Sequence, residues 1–156
     1  MEEHLKTRPK KIPYAQQEQD TLREKAVKKV KRELLPHKQI LKIVLIGSSV
    51  KGSFGKYEPP GFRGSIYSDF DFIVFVEDDY EIPAVLQREP DGKPFPNDEQ
   101  NLAYRNKKWL DETYDVEVFF VRNSTMNNPI LQAQGEASGI PMTEQSTHEH
   151  VVIYTQ

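Results

Sequence analysis

A chain of 156 residues and 18.1 kDa, 37% hydrophobic and 29% charged at a mean hydropathy of -0.70, is sized for one domain, too polar for a bilayer and too rich in Ile, Val, Leu and Phe to stay unfolded. The absence of cysteine excludes disulfides, a thiol nucleophile, iron–sulfur clusters and cysteine-based zinc centres, so any metal chemistry here uses oxygen or imidazole. The net charge of -3 conceals a gradient: residues 1–38 hold 11 Lys/Arg against 6 Asp/Glu, and residues 39–156 hold 10 against 18.

No apolar run reaches the roughly 20 residues of a bilayer span, and Met1-Glu2-Glu3-His4 has neither the basic start nor the apolar middle of a signal peptide. The expectation is a cytoplasmic protein that does not enter a membrane. Residues 1–13, with Pro9 and Pro13 among Lys and Glu, read as a flexible arm before a domain spanning 14–156. A helix follows, marked by Leu22, Ala26, Val30 and Leu34 at four-residue spacing, by Thr21 and Glu24 in the form of a capping box, and by Pro36, which stops it. This helix is basic, but no aromatic residue is interleaved with its charges, which favours a solvated face over nucleic-acid contact.

Residues 40–46 form a nearly continuous apolar run suited to a strand covered on both faces, ended by Gly47-Ser48-Ser49. Three glycines and Pro59-Pro60 make 55–67 a long loop. Residues 70–76 are a second buried strand, and Asp78-Asp79 after it is expected to stay in solvent. Beyond the prolines between 83 and 96, Asn97 or Asp98 caps a predicted helix carrying Leu102, Trp109 and Leu110, with Trp109 in the core. A third strand over 115–121, a helix near 129–138 and a closing strand at 151–154 complete the order. Strands alternating with helices predict a single α/β domain, with a mixed β-sheet and helices mainly on one face.

Two features carry chemistry. Gly47-Ser48-Ser49-Val50-Lys51-Gly52 follows a strand, where glycine allows close approach and the following N–H groups suit a phosphate. It is not a Walker loop, because Ser53 and Phe54 stand where Lys and Ser or Thr would be needed. In Ser68-Asp69-Phe70-Asp71-Phe72, the alternation of a strand puts Asp69 and Asp71 on one face and directs Phe70, Phe72, Val74 and Val76 toward helices. Two neighbouring carboxylates entering an apolar strand repel each other and resist burial unless a cation or hydrogen bonds compensate. Either Asp69 ends a turn while Asp71 accepts backbone hydrogen bonds, or a divalent metal resolves both costs. Ile73 and Val74 exclude a calcium-binding EF-hand. Asp115 and Glu117 repeat the arrangement on the third strand, and such an oxygen-rich set suits Mg²⁺ together with substrate phosphates.

A strand ending in Gly-Ser, a short helix with Lys and Gly, Ser-Asp-x-Asp opening a second strand and an acid within a third together resemble the DNA polymerase beta superfamily of nucleotidyltransferases, most closely its minimal bacterial and archaeal members. The resemblance spans roughly residues 40–122. It implies transfer of a nucleoside monophosphate from an NTP, ATP among them, to a hydroxyl with release of pyrophosphate, and dependence on two Mg²⁺ ions, with Mn²⁺ as a substitute. Gly47 and Ser48 would contact the phosphates, with Lys51 near them. Asp69 and Asp71 would hold both metal ions. Glu117 would complete the catalytic set and help deprotonate the acceptor, with Asp115 as the alternative third acid. Twenty residues separate Ser48 from Asp69, more than minimal members use, and the excess falls in the 55–67 loop, whose Arg63 and Tyr67 would line the mouth of the site.

The acceptor is expected from a partner, either a small helical protein or a substrate bound across a homodimer. A rival reading is a non-catalytic, antitoxin-type binding module of the same fold. His148 and His150 are two residues apart but have no third ligand in the sequence, so they read as an exposed lead-in to the last strand.

Overall fold

The computed structural model describes residues 9–59, 61, 66–83, 89–94, 102–110 and 113–156. In chain order the elements are β1 (Lys11–Pro13), α1 (Gln16–Leu34), β2 (Ile40–Ile46), α2 (Ser48–Lys51), β3 (Gly55–Tyr57), β4 (Phe70–Val76), β5 (Glu89–Pro94), β6 (Leu102–Leu110), β7 (Tyr114–Arg122), α3 (Asn123–Met126), α4 (Pro129–Ala137) and β8 (Val151–Thr155). Six strands form the main sheet in the order β5-β6-β7-β4-β2-β8, and β1 and β3 form a separate ribbon. Among the described residues β4 and β7 pair parallel and the other pairings are antiparallel, so the sheet is mixed and the class is α/β.

The two apolar runs become β2 and β4 because each is buried on both faces. On one face, Leu22, Ala26, Val30 and Leu34 of α1 pack against Ile43, Leu45, Phe70, Phe72, Val74 and Val118. On the other, Val44, Ile73, Phe75 and Val121 are covered by Ile140 and Met142, with Met126 at the margin. Helices mainly on one face therefore describes α1 only. The opposite face is closed by α3 and by the chain that follows α4.

Several expectations are corrected. The predicted helix carrying Leu102 and Leu110 is strand β6, which pairs antiparallel with β7 from Leu102↔Phe120 to Leu110↔Tyr114. Leu102, Trp109 and Leu110 fit a helical spacing, but the outer edge of the apolar β7 needs a ladder partner, and that tertiary demand overrides the local pattern. Asn97 and Asp98 lie outside the described residues, as does the side chain of Trp109. The arm is not loose throughout. Lys11–Pro13 pairs with Tyr57–Gly55, Tyr14 N–H donates to Phe54 O and Glu58 N–H donates to Lys10 O, which also turns part of the expected 55–67 loop into a strand. A Cβ on Gly55 would lie 2.1 Å from Ile12 O, so the ribbon closes only around glycine.

Thr21 does not cap α1. The helix begins five residues earlier, at Gln16, and the Thr21 hydroxyl donates back to Gln17 O. Asp78 is exposed, yet its Oδ1 accepts the Ser124 N–H at the start of α3. His148 and His150 are half-buried rather than exposed, with His148 Nε2 at 2.5 Å from Glu136 O and His150 Nδ1 at 2.6 Å from His148 O.

Buried Gln19 on α1 joins these parts. Its Nε2 donates to Tyr14 O at 2.8 Å and Gly52 O at 3.0 Å, while its Oε1 accepts the buried Phe54 N–H at 3.2 Å. One amide thus holds the end of β1, the exit of α2 and the entry to β3. Phe54 then stacks on Phe70, with ring centroids 4.4 Å apart. Gln19→Leu fills the space but strands the Phe54 N–H, and should lower stability by about 1–3 kcal/mol in urea denaturation. A loss within about 0.5 kcal/mol, as for an ordinary surface substitution, would show that the amide does not clamp these segments.

Tyr80, buried beside Phe120, shares a 2.9 Å hydrogen bond with His37 Nδ1, and its carbonyl accepts from Arg122 Nη1 at 2.5 Å. Burial pushes the phenol from 10.0 up to about 12, against the opposing pull of Arg122. The folded state thus holds this proton more tightly than the unfolded state. The resulting stability is complete below pH 10 and is lost as pH rises toward 12. A denaturation series over that window should show a steeper decline for the parent chain than for Tyr80→Phe.

Candidate functional site

The carboxylates are set by strand register. β4 and β7 run parallel with Phe70 opposite Val116, Asp71 opposite Glu117 and Phe72 opposite Val118. Phe70, Phe72, Val116 and Val118 are buried under α1, so alternation turns Asp71 and Glu117 to the other face, where both are half-buried. Two residues back along the chain stand Asp69, just before β4, and Asp115, within β7, also half-buried. Asp71 and Glu117 thus form one acidic pair across the parallel ladder, near its entrance, and Asp69 and Asp115 precede them in the chain. Each has a polar or electrostatic partner in the fold.

β2 delivers the glycine turn to the same place. Ile46 is the register partner of Asp71, so Gly47, the next residue, emerges beside that carboxylate. Gly47 has φ 85° and ψ -158°, a region open essentially to glycine alone, and a Cβ there would sit 2.7 Å from Asp71 Oδ2. The carbonyl of Gly47 accepts both Val50 N–H and Lys51 N–H, which starts α2 and leaves the N–H groups of Ser48 and Ser49 outside the helix's own ladder. Ser48 is half-buried, Ser49 is buried, and Lys51 is exposed at the far end of the turn.

A cleft of about 340 Å³ opens on this face. Asp71 and Glu117 form its polar part, Ile46, Phe119 and Ile140 its apolar part, and Gly139 part of its rim. The structure therefore brings Gly47 against Asp71 and sets Asp71 opposite Glu117, while Asp69 and Asp115 do not line the cleft. Gly47, Ser48 and Lys51 are not among the residues lining the cleft. Arg63 lies outside the described residues. Tyr67 stands edge-on to Tyr114 at a centroid distance of 5.1 Å, just before the acids in the chain.

Sequence reasoning missed the wall formed by Ser138, Gly139 and Ile140. Glu136 anchors the segment beyond it: its carboxylate accepts the Met142 N–H and the Ser146 hydroxyl, both at 2.7 Å. A Ser-Gly pair ending a helix was the available signal, but nothing local tells that it folds back over a sheet. Tyr14, whose hydroxyl lies 3.1 Å from that of Tyr114, was missed as well, and burial raises its phenol well above the ordinary range.

The donor set is carboxylate oxygen, the chemistry of a hard divalent cation. Among the described residues, no three His, Asp or Glu side chains form a group placed to hold one metal ion. Compared with protein-family models and with curated proteins, the chain finds no match in either.

The close approach of Gly47 to Asp71 makes a test of the turn itself. Gly47→Ala forces a non-glycine residue into this backbone region and drives its Cβ into Asp71 Oδ2. It should cost about 1–3 kcal/mol, read by chemical denaturation. An unchanged midpoint would mean that the turn can move away from the carboxylate.

Proposed function

We propose that the chain is a Mg²⁺-dependent nucleotidyltransferase that moves a nucleoside monophosphate from an NTP to a hydroxyl acceptor and releases pyrophosphate. The observation that carries this reading is the in-register pairing of Asp71 with Glu117, with the glycine turn at Gly47 packed against the Asp71 carboxylate. Asp69 and Asp71 would hold two metal ions, Mg²⁺ or Mn²⁺, and Glu117 would complete the set. Bound there, the metal supplies neutralisation of phosphate charge and a more acidic acceptor hydroxyl.

The chain's own residues do the rest. The N–H groups after Gly47 orient the phosphates. As the acceptor oxygen bonds to the α-phosphorus and the bond to the bridging pyrophosphate oxygen breaks, the acceptor's proton passes to the Glu117 carboxylate. Ile46, Phe119 and Ile140 keep competing water from the cleft. Lys51, exposed and outside the lining, acts by attracting the triphosphate rather than by touching it. At about 340 Å³ the cleft is near the small end of ligand sites, so the nucleotide fills it and the acceptor hydroxyl reaches in from a partner macromolecule.

Binding is tested by melting the chain with Mg²⁺ or Mn²⁺ and each of the four NTPs, where a hundredfold excess over Kd stabilises the fold by about 2.7 kcal/mol. No shift with any of them would leave the non-catalytic binding module as the better reading. Catalysis is tested by two substitutions on one strand. Glu117→Gln should lower transfer by about a hundredfold or more with the NTP-induced shift retained. Asp115→Asn, at the entrance of the strand, should lower it by less than about tenfold. The reverse order would assign the third acid to Asp115.

A further inference from the structure

The sheet ends at β8, and among the described residues no strand covers its outer side. Its sequence is Val-Val-Ile-Tyr-Thr, with none of the lysines, prolines or inward charges that natural sheets use to keep an edge from pairing. Val152 is 38% exposed. Beside this edge runs a groove of about 430 Å³ between β8 and α1, lined by Asp20, Arg23, Glu24, Val27, Lys31 and Ile153. Val27 and Ile153 form its apolar floor, each packed at the margin of the core.

We propose that this edge and groove form the interface with a second copy of the chain, β8 pairing antiparallel with the partner's β8 about a two-fold axis perpendicular to the sheet. Such an axis continues one sheet into the next and sets α1 antiparallel to the partner's α1 on the same face. The order of charges along the groove decides for a second copy over a foreign strand. Asp20, Arg23 and Glu24, together net negative, stand in the N-terminal half of α1 and Lys31 in the C-terminal half, so antiparallel helices bring Glu24, 3.9 Å from Lys28 of its own copy, toward the partner's Lys31, and symmetry repeats the pair. A five-residue ladder alone falls short of the roughly 1,600 Å² of a standard interface, and the long side chains along the groove extend the buried surface. The proposal uses none of the residues of the carboxylate cleft, so it stands or falls independently of the transfer reaction.

Sedimentation of the full chain tests it. A dimer should form by about 100 µM at low salt. Val152→Lys sets two like charges against each other near the axis and should weaken dimerisation at least about tenfold, while the circular dichroism of the dilute monomer stays that of the parent. Glu24→Lys and Lys31→Glu should each weaken it, and the double exchange should restore it. The two residues stand about 10 Å apart along one helix, too far to pair within a copy, so restoration reports contact between copies. A monomer at every concentration would overturn the proposal. So would a dimer indifferent to Val152→Lys, or a double exchange no better than the worse single one.

Discussion

Everything at the candidate site hangs on one pairing, the parallel ladder between β4 and β7. Because it is in register, each residue of one strand has a fixed neighbour on the other, and Asp71 meets Glu117 instead of being scattered from it. Bringing like charges to adjacent positions is unfavourable in isolation. The ladder nevertheless forms, because the alternate residues Phe70, Phe72, Val116 and Val118 are fully buried against α1 and leave the acids no other face to occupy. The apolar side of the strands thus dictates the polar side, and a slip of one residue would exchange them.

The two central strands were legible in full, with Ile40–Ile46 and Phe70–Val76 matching the expected spans residue for residue. Burial on both faces leaves a continuous apolar run that no other element imitates at that length. That Asp71 and Glu117 turn away from the apolar face of their strands was legible for the same reason, since a period of two follows from the strand itself. The register between the strands was not. Nothing in either segment states that Asp71 faces Glu117, because that depends on where a connection of several dozen residues lets the second strand dock. The fate of Leu102–Leu110 was likewise hidden. Its apolar residues satisfy a helical spacing, and only the open edge of β7 decides for a strand.

Gln19 illustrates a further kind of blindness. In sequence it is one glutamine among three near the start of a helix, and only the fold shows its amide joining Tyr14, Gly52 and Phe54. Through Gly52 it fixes the far end of the turn that begins at Gly47. Through Phe54 it fixes the aromatic stack beneath Phe70, one residue from Asp69 and Asp71. The enlarged segment before the acids is therefore tied back at its root by the ribbon of β1 and β3 and by the bridge from Lys56 to Tyr67.

The parallel ladder also sets the order in which the molecule can assemble. β6 and β7 lie three residues apart in the chain and pair locally, whereas β4 meets β7 only after the whole intervening chain has been closed into a loop. Gly47 and Asp71 belong to the unit built from β2 and β4, and Glu117 belongs to the hairpin. The pair of Asp71 and Glu117 lies on the seam between these two parts of the sheet. A nascent chain that has made both units but not yet joined them carries Asp71 and Glu117 without their pairing, and the wall at 138–140 still has no sheet face to close against.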